Sequence, residues 1–305
     1  MKRHLLLLAI VALAGPSVAE DSPMPVLGDH RFVPATRIED AFLNGYVQTS
    51  VAVGSATNTN TPEFVLPDST VVQIAPASQL FFGLAFRYQH RMKEWLAVNA
   101  TVSAAGRMGS NTRSLLSDGV TGTVGYALGW KVRAVETSSF LMSGSFSLTN
   151  TALSLINVLD WADDIVEGGQ SDLVRSRGFL RGRFGLHTAW AINERFGLLG
   201  TGFASYGESI DSEAGNDWNR DVRLALSYNL EPDIGVPLGV SATAGYSGVQ
   251  AFESSSVWFW RTRIAVQTRE DFSIGVDLGT SYYESLQRNN NSQFTELSLD
   301  TRYYF

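Results

Sequence analysis

Strict two-residue alternation over runs of ten residues or more is the feature that most limits how this chain can fold. In the stretch 80–89, large apolar side chains at Leu80, Phe82, Leu84, Phe86 and Tyr88 alternate with mostly small, polar or charged ones. The same pattern returns at 120–131 and again at 272–281. A period of two residues indicates a β-strand whose two faces meet different surroundings. The sequence therefore predicts long strands in a sheet with one strongly apolar face.

The same alternation predicts twelve strands in the whole chain. They lie at 41–53, 79–91, 95–107, 119–133, 138–149, 178–192, 196–207, 221–230, 236–247, 256–268, 272–283 and 294–305. Strands of about ten to fifteen residues can cross, when tilted, the apolar band of about 25 Å of an outer-membrane barrel. Strands of soluble sandwiches are usually nearer five or six residues. The strand number and length favour an all-β fold, a transmembrane antiparallel up-and-down β-barrel.

Connections between the predicted strands alternate between short and long. The short ones lie at 92–94, 134–137, 193–195, 231–235 and 269–271, and the long ones at 54–78, 108–118, 150–177, 208–220, 248–255 and 284–293. In bacterial outer-membrane barrels the short turns face the periplasm and the long loops face the outside. We therefore expect both ends of the chain on the periplasmic side. Apolar residues at helical spacing also predict one short helix in the extracellular loop 150–177.

The first residues have the three parts of a secretory signal peptide. Lys2 and Arg3 precede an apolar run at 5–14, and small residues follow at 17–19. No later apolar run reaches the roughly 18 residues that a membrane-spanning helix needs. We therefore expect a signal peptide at 1–19, a periplasmic N-terminal lead-in without regular structure at 20–40, and a barrel at 41–305.

Composition excludes several classes of function. The chain has 23 Lys and Arg against 30 Asp and Glu, which argues against a nucleic-acid-binding protein. It has no cysteine, so it lacks thiolate nucleophiles and thiolate metal ligands. Outside the leader its histidines are His30, His90 and His187, and their spacing does not form a metal motif. We expect no cofactor, no metal and no enzymatic activity.

The C-terminal stretch LSLDTRYYF places apolar or aromatic residues at Leu297, Leu299, Tyr303 and Phe305. With the leader and the twelve strands, this ending resembles the outer-membrane β-barrels of Gram-negative bacteria. The resemblance implies that these four residues are an insertion signal for the barrel-assembly machinery, and that outer-membrane lipid and lipopolysaccharide surround the protein. The stretch SDGVTGTVGYALGW at 117–130 is similar to a strand motif of transporter barrels associated with aromatic-compound degradation clusters.

The inward positions of the predicted strands carry a surplus of positive charge. The basic residues are Arg87, Arg107, Lys131, Arg181, Arg183, Arg223, Arg261, Arg263 and Arg302, and the acidic ones are Asp277, Glu296 and Asp300. Charged linings set the selectivity of pores, so this surplus favours anionic solutes. The alternative is that these arginines pair with acids and only fill the barrel.

Hairpin symmetry predicts which of these charges lack a partner. A turn centred on Glu270 sets Arg263 opposite Asp277 and Arg261 opposite Gly279. A second turn, centred on Glu194, sets Arg183 opposite Ser205 and Arg181 opposite Gly207. We therefore expect Arg181, Arg183 and Arg261 to be the unpaired charges of the lumen.

Three functions remain open on the sequence alone. The first is a passive channel or transporter for small solutes, with a preference for anions. The second is a closed barrel with a structural or surface-interaction role through the loops 54–78 and 150–177. The third is a lipid-modifying or proteolytic barrel enzyme that uses His187 as its base. The identity of the solute and the oligomeric state are not determined by these patterns.

Overall fold

The structure is a computed structural model of the chain. It describes residues 24–35, 37–59, 63–65, 71–73, 77–109, 120–156, 174–208, 215–248, 254–269, 271–285 and 292–305. Within these ranges, the helical residues form no stretch of the length and apolarity that crossing a membrane requires.

The described part of the chain contains sixteen strands, twelve of which form the barrel. Two short pairs lie apart from it, β1 (Val26–Leu27) with β2 (His30–Arg31) and β4 (Glu63–Val65) with β5 (Val71–Gln73). The barrel strands are β3 (Tyr46–Thr59), β6 (Ala77–Lys93), β7 (Leu96–Gly109), β8 (Val120–Glu136), β9 (Phe140–Ile156), β10 (Val174–Ala191), β11 (Phe196–Glu208), β12 (Asn216–Asn229), β13 (Leu238–Ser247), β14 (Ser254–Arg269), β15 (Phe272–Ser285) and β16 (Ser292–Tyr304).

Every neighbouring pair of barrel strands is antiparallel, and the barrel closes where β16 pairs with β3. In that seam Leu299 lies opposite Val51 and Arg302 opposite Gln48. Closure leaves no unpaired strand edge, which is the condition for a sheet to stand in lipid. The predicted fold class, a closed twelve-stranded antiparallel barrel, is confirmed.

The two faces of the sheet are inverted relative to a soluble protein. Large apolar side chains point outward and are exposed, for example Phe82 (55%), Trp190 (50%) and Leu297 (49%). Charged side chains such as Arg263 and Arg302 point inward and are buried. An apolar exterior around a polar interior is the arrangement that a lipid bilayer stabilises.

Registers derived from hairpin symmetry agree with the structure. Arg263 pairs with Asp277 and Arg261 with Gly279 across β14 and β15. Arg183 pairs with Ser205 and Arg181 with Gly207 across β10 and β11. Tight turns fix hairpin registers, so a correct turn position is sufficient to place these facing residues. The register of β14 and β15 shifts near both ends, between Ser254 and Ser256 and between Val266 and Arg269.

The short turns all lie at one end of the barrel, which we call the short-turn end, and the opposite end is the long-loop end. A four-residue helix, α1 (Glu231–Ile234), lies in the turn between β12 and β13, and Gly235 ends it with a φ of 66°. Only glycine enters this left-handed region at little cost. The helix predicted in loop 150–177 falls partly on Leu155 and Ile156, which belong to β9, and otherwise on 157–173, outside the described residues.

The predicted first strand and lead-in differ from the structure. The strand begins at Tyr46 instead of residue 41, and the segment before it has the β1–β2 ladder where no regular structure was expected. We call residues 24–45 (Thr36 lies outside the described residues) the inner segment. Its buried side chains include Phe32, Ile38 and Phe42, at 1%, 1% and 5% exposure. The inner segment packs inside the barrel.

Candidate functional site

An apolar contact holds the inner segment against one wall of the barrel. Phe32, Ile38 and Phe42 form one cluster with small or aliphatic inward residues of the barrel strands; these are Leu141, Ala189, Ala191, Leu199 and Ala225. Small residues at these inward positions leave the space that the three large side chains fill. This apolar cluster therefore lies inside the barrel, in the short-turn half of the lumen, where it holds the inner segment against the wall.

Polar contacts fix the entry of the segment at the short-turn end. In the neutral ring of His30, Nδ1 donates to the backbone oxygen of Glu194 at 3.1 Å, because a carbonyl can only accept. Nε2 then carries no proton and accepts from Ser227 Oγ at 3.2 Å, and the same oxygen accepts from the backbone N–H of Val33 at 3.0 Å. Burial lowers the pKa of His30, and its hydrogen bond to Glu194 opposes this shift. His30 therefore has a structural role, because it connects the inner segment to two places on the barrel.

Asp40 is the most deeply anchored acid of the inner segment. Its Oδ2 accepts a hydrogen bond of 2.8 Å from Arg302, and its Oδ1 lies 4.0 Å from Lys131 Nζ. Lys131 also donates to the backbone oxygen of Asp40 at 2.8 Å. Buried charges are tolerated when they are paired and hydrogen-bonded in this way. Asp40 thereby neutralises two cations of the barrel wall, Lys131 and Arg302.

Arg37 reaches furthest toward the long-loop end. Its Nη2 contacts Glu296 Oε2 at 2.7 Å, near the middle of β16. Arg223 in β12, four strands away from β16 around the barrel, donates to the backbone oxygen of Arg37. From this point the chain returns to the short-turn end, where Gly45 accepts a hydrogen bond of 3.0 Å from the backbone N–H of Phe305. The inner segment thus enters and leaves the lumen through the same end.

Glu39 is held more loosely than Asp40. Arg183 Nη1 lies 3.3 Å from its Oε1, and its side chain is 29% exposed. Burial raises the pKa of this carboxyl, but attraction to Arg183, His187, Lys131 and Arg87 outweighs burial and holds the pKa at about 2. Glu39 is therefore ionised at neutral pH, in surroundings that strongly favour an anion.

His187 lies beneath Glu39 and is fully buried. Its Nδ1 donates to the backbone oxygen of Glu39 at 2.9 Å and lies 2.8 Å from Thr201 Oγ1, and its Nε2 lies 2.8 Å from Ser145 Oγ. A hydroxyl beside a histidine is the pattern of a nucleophile and its base. Here Nδ1 holds the inner segment through Glu39, Nε2 joins His187 to the neighbouring strand through Ser145, and the segment lies over the pair.

The three arginines expected to be unpaired all have an acidic partner, so that expectation is wrong. Arg181 is paired with Asp217, Arg183 with Glu39 and Arg261 with Glu296, the last at 3.1 Å. The prediction compared only residues directly opposite in a hairpin, whereas these partners come from the inner segment, a non-adjacent strand and the start of β12. The surplus of cations over acids at inward positions was itself a signal that further acids face them.

The remaining candidate residues, Arg263, Arg223 and Arg87, differ in their contacts. Arg263 contacts Asp277 at 2.7 Å and also Asp300, and Arg223 donates from Nε to Asp221 at 2.7 Å. Arg87 Nη1 is buried without a hydrogen-bond partner among the described residues.

A cavity of about 330 Å³ lies between the inner segment and the long-loop end. One wall consists of small inward residues of β3, β6 and β7, namely Ser50, Ala52, Gly83, Ala85, Ser103 and Ala105. Five arginines also line it: Arg183, Arg223 and Arg261 come from β10, β12 and β14, Arg87 from β6, and Arg37 from the inner segment. Glu39 and Glu296 are the two acids of the lining, so the cavity carries a positive surplus.

A second cavity of about 190 Å³ continues the first toward the long-loop end. It shares Arg37, Ala52 and Glu296 with the larger cavity. It adds Phe81 and Phe294, whose ring centroids are 4.6 Å apart. The lumen therefore passes from an aromatic pair to a cluster of arginines before it meets the inner segment.

Comparisons with known proteins identify the fold. No family model and no curated protein sequence matches the chain. Among solved structures, an outer-membrane channel from Pseudomonas putida F1 is similar over 90% of this chain and 100% of its own, at 13% identity and a TM-score of 0.51. The chain has the fold of an outer-membrane β-barrel.

Two translocator barrels are equally similar. The translocator domain of the autotransporter NalP from Neisseria meningitidis matches over 87% of this chain and 90% of its own, at 13% identity and a TM-score of 0.51. The β domain of the Bordetella autotransporter BrkA matches over 86% and 100%, at 9% identity and a TM-score of 0.51. Likeness at such identities establishes the barrel architecture.

The residues proposed as the insertion signal lie on the outer face of the barrel. Leu297, Leu299, Tyr303 and Phe305 are exposed at 49%, 47%, 49% and 42%. The ring of Phe305 stacks on Tyr88, with centroids 5.9 Å apart. Their positions suit contact with lipid, and their role in insertion stays a prediction.

Proposed function

We propose that this barrel is a passive channel that lets small solutes cross the outer membrane and prefers anions to cations. The observation that carries the proposal is the cavity inside the closed barrel, which five arginines and two glutamates line. A surplus of fixed positive charge in a narrow lumen concentrates anions there. The Pseudomonas putida neighbour, which is itself an outer-membrane channel, supports this choice.

The proposal includes an orientation and a set of surroundings. The short-turn end faces the periplasm, as in other bacterial barrels, and the long loops face the outside. Outer-membrane lipid and lipopolysaccharide surround the protein, and the barrel-assembly machinery inserts it. Passage through the lumen requires the inner segment to move, because that segment fills the short-turn half of the barrel.

Conductance of the purified full chain in a planar lipid bilayer tests this function. We expect discrete unit currents. In a potassium chloride gradient we expect a reversal potential shifted from zero toward the equilibrium potential of chloride. Folded protein that carries no current at any voltage would contradict the proposal. A reversal potential on the potassium side would leave a channel but remove its preference for anions.

A closed barrel with a surface role is the second candidate, and the apolar seat of the inner segment favours it. The cluster around Phe32, Ile38 and Phe42 is the kind of contact that keeps a lumen shut. Shortening the connections at 60–76 and 157–173 distinguishes the two functions. In a channel this change preserves or raises the conductance, whereas in a surface protein it abolishes partner binding without producing current.

A barrel enzyme is a weaker candidate. It would use Ser145 and His187, the hydroxyl and histidine that lie 2.8 Å apart. Hydrolysis of a phospholipid or peptide substrate that disappears in both His187→Ala and Ser145→Ala would support it.

A further inference from the structure

Glu39 occupies a place in the lumen that suits an exchangeable carboxylate. It comes from the inner segment, not from the barrel wall, yet cations of the wall surround it. Its strongest contact is a single one, from Arg183 Nη1 to Oε1 at 3.3 Å, and His187 Nε2 lies 3.9 Å from Oε2. Arginine binds carboxylates best through two parallel hydrogen bonds of about 2.7–2.9 Å. The Arg183–Glu39 pair has neither that distance nor that geometry.

The neighbouring acid Asp40 provides the contrast. Asp40 is 7% exposed, contacts Arg302 at 2.8 Å and accepts a hydrogen bond from the backbone N–H of Phe42 at 3.2 Å. Glu39 is 29% exposed and lies in the lining of the large cavity, which Asp40 does not reach. Asp40 thus anchors the segment, while the carboxylate of Glu39 borders open space.

The cations around Glu39 are accessible from the cavity. Arg183 is 26% exposed, and its guanidinium carbon stacks 3.3 Å from the ring centroid of Phe203, which fixes the plane of the group. Arg87 also lines the cavity, and its buried Nη1 has no hydrogen-bond partner among the described residues. A guanidinium held by stacking, with a second one nearby, is a preformed receptor for a carboxylate.

From these contacts we propose that the lumen contains a binding site for small organic carboxylates, centred on Arg183 and Arg87, and that Glu39 occupies it as an internal competitor. The carboxylate of a bound solute replaces that of Glu39 on Arg183. Its apolar part lies against the small-residue wall at Ala52 and Gly83. This inference rests on the proposed channel function and names the substrate class of the same lumen.

The dimensions of the site limit the solute. A cavity of about 330 Å³ is at the lower end of the range of about 300 to 1,000 Å³ that is usual for small-molecule sites. The adjoining cavity adds the aromatic pair Phe81 and Phe294 on the path from the long-loop end. A compact carboxylate with an apolar or aromatic body fits an aromatic pair followed by a cluster of arginines better than a long polyanion does.

Binding of benzoate to the purified full chain, measured by isothermal titration calorimetry, tests the inference. Benzyl alcohol, which has a similar shape and no charge, is the matched probe. In Glu39→Gln the competitor loses its charge, and we expect the Kd for benzoate to fall by about tenfold, the size of one charge-assisted hydrogen bond. Glu94→Gln, which removes an exposed charge in a short turn, leaves the affinity as in the wild type.

Two double variants, each with a further substitution added to Glu39→Gln, locate the site. Adding Arg183→Gln to Glu39→Gln abolishes the gain in affinity, and adding Arg87→Gln reduces it. Benzyl alcohol binds all variants equally weakly. Equal affinity of wild type and Glu39→Gln for benzoate, or tight binding that survives Arg183→Gln, overturns the inference. Absence of benzoate binding to Glu39→Gln also overturns it.

Conductance of the same variants separates this inference from the channel function. Currents in the wild type together with unchanged benzoate affinity in Glu39→Gln overturn the carboxylate site and leave the channel in place. Absence of current in the wild type, Glu39→Gln and Asp40→Asn overturns the channel. In that case the calorimetry by itself still shows whether the carboxylate site exists.

Discussion

Arg302 Nη1 donates a hydrogen bond of 2.8 Å to Asp40 Oδ2 across 262 positions of the chain. This contact joins the inner segment to β16, the strand that closes the barrel. Arg302 Nη2 also donates to Gln48 Oε1 at 2.8 Å, so that the closing seam and the inner segment share one guanidinium. The position of the inner segment and the closure of the barrel are therefore coupled.

Asp40→Asn should loosen the inner segment. The change removes the charge that neutralises Lys131 and Arg302, and weakening a hydrogen-bonded charge pair costs about 1 to 3 kcal/mol. We expect more frequent openings in planar-bilayer recordings than in the wild type. Asp29→Asn is the matched control, because Asp29 lies in the same segment and is exposed. Identical open probabilities in all three proteins would show that Asp40 does not hold the segment.

A disulfide between positions 33 and 239 should lock the inner segment in place. A Cβ built on Gly239 lies 3.6 Å from the Cβ of Val33, within the spacing of about 3.5 to 4.5 Å that disulfides need. The chain has no cysteine of its own that could interfere. We expect Val33→Cys with Gly239→Cys to be silent when oxidised and to conduct after reduction.

Val33→Cys alone is the control for this experiment. Gly239→Cys alone is unsuitable, because its Cβ would lie 2.2 Å from a methyl group of Val33. If the oxidised double variant conducts as well as the reduced one, solutes pass while the segment stays seated.

Acid should weaken the Glu39 contact. The pKa of Glu39 is held at about 2, below its ordinary value of 4.5, so the ionised form is the one that the seated segment stabilises. This stabilisation is present above pH 4.5 and is lost as the pH falls toward 2. We expect the open probability of the wild type to rise over this interval and to approach that of Glu39→Gln. A difference between the two proteins that stays constant from pH 7 to about 2 would contradict this assignment.

Arg87→Gln should reduce the preference for anions. Arg87 lines the cavity and, like Arg261, has a buried nitrogen without a hydrogen-bond partner among the described residues, and its charge acts on the lumen. We expect the reversal potential in a salt gradient to move toward the potassium value. Arg220→Gln is the control, since Arg220 is exposed on the outer face of β12. An equal shift in both variants would attribute the effect to net charge and not to the lumen.

Phe305→Ala should lower the amount of barrel assembled in the outer membrane. Phe305 lies on the outer face at the short-turn end, and its ring stacks on Tyr88 and His90. Phe196→Ala is the matched control, because Phe196 is also an exposed aromatic at this end and packs on Tyr228. Heat-modifiability on gels measures the folded fraction. Equal losses in both variants would indicate lost packing and not a specific role in insertion.

The barrel itself could be predicted from sequence because its determinants are local. The alternation at 80–89 predicts which face of β6 points outward, and the short connection expected at 269–271 predicts that Arg263 and Asp277 face each other across β14 and β15. A register error of one residue would turn every apolar side chain inward, so the pattern permits few alternatives. These features need no knowledge of distant parts of the chain.

The inner segment could not be predicted in this way. Its residues have no period of two, and its partners lie far away in the sequence, as for Asp40 and Arg302 or Arg37 and Glu296. Two signals did point to it. Phe32, Ile38 and Phe42 are more apolar than a solvated linker requires, and the inward cations outnumbered the inward acids.

The two ends of the inner segment meet, since the side-chain amide of Asn44 donates to the backbone oxygen of Met24 at 3.1 Å. The segment is thus a loop inserted through one opening, and it is not threaded through the barrel. It can be withdrawn toward the short-turn end without breaking a single ladder hydrogen bond of the twelve strands. A mechanical pull on the segment from that side would therefore act on its contacts in the lumen and leave the strand pairing of the barrel intact.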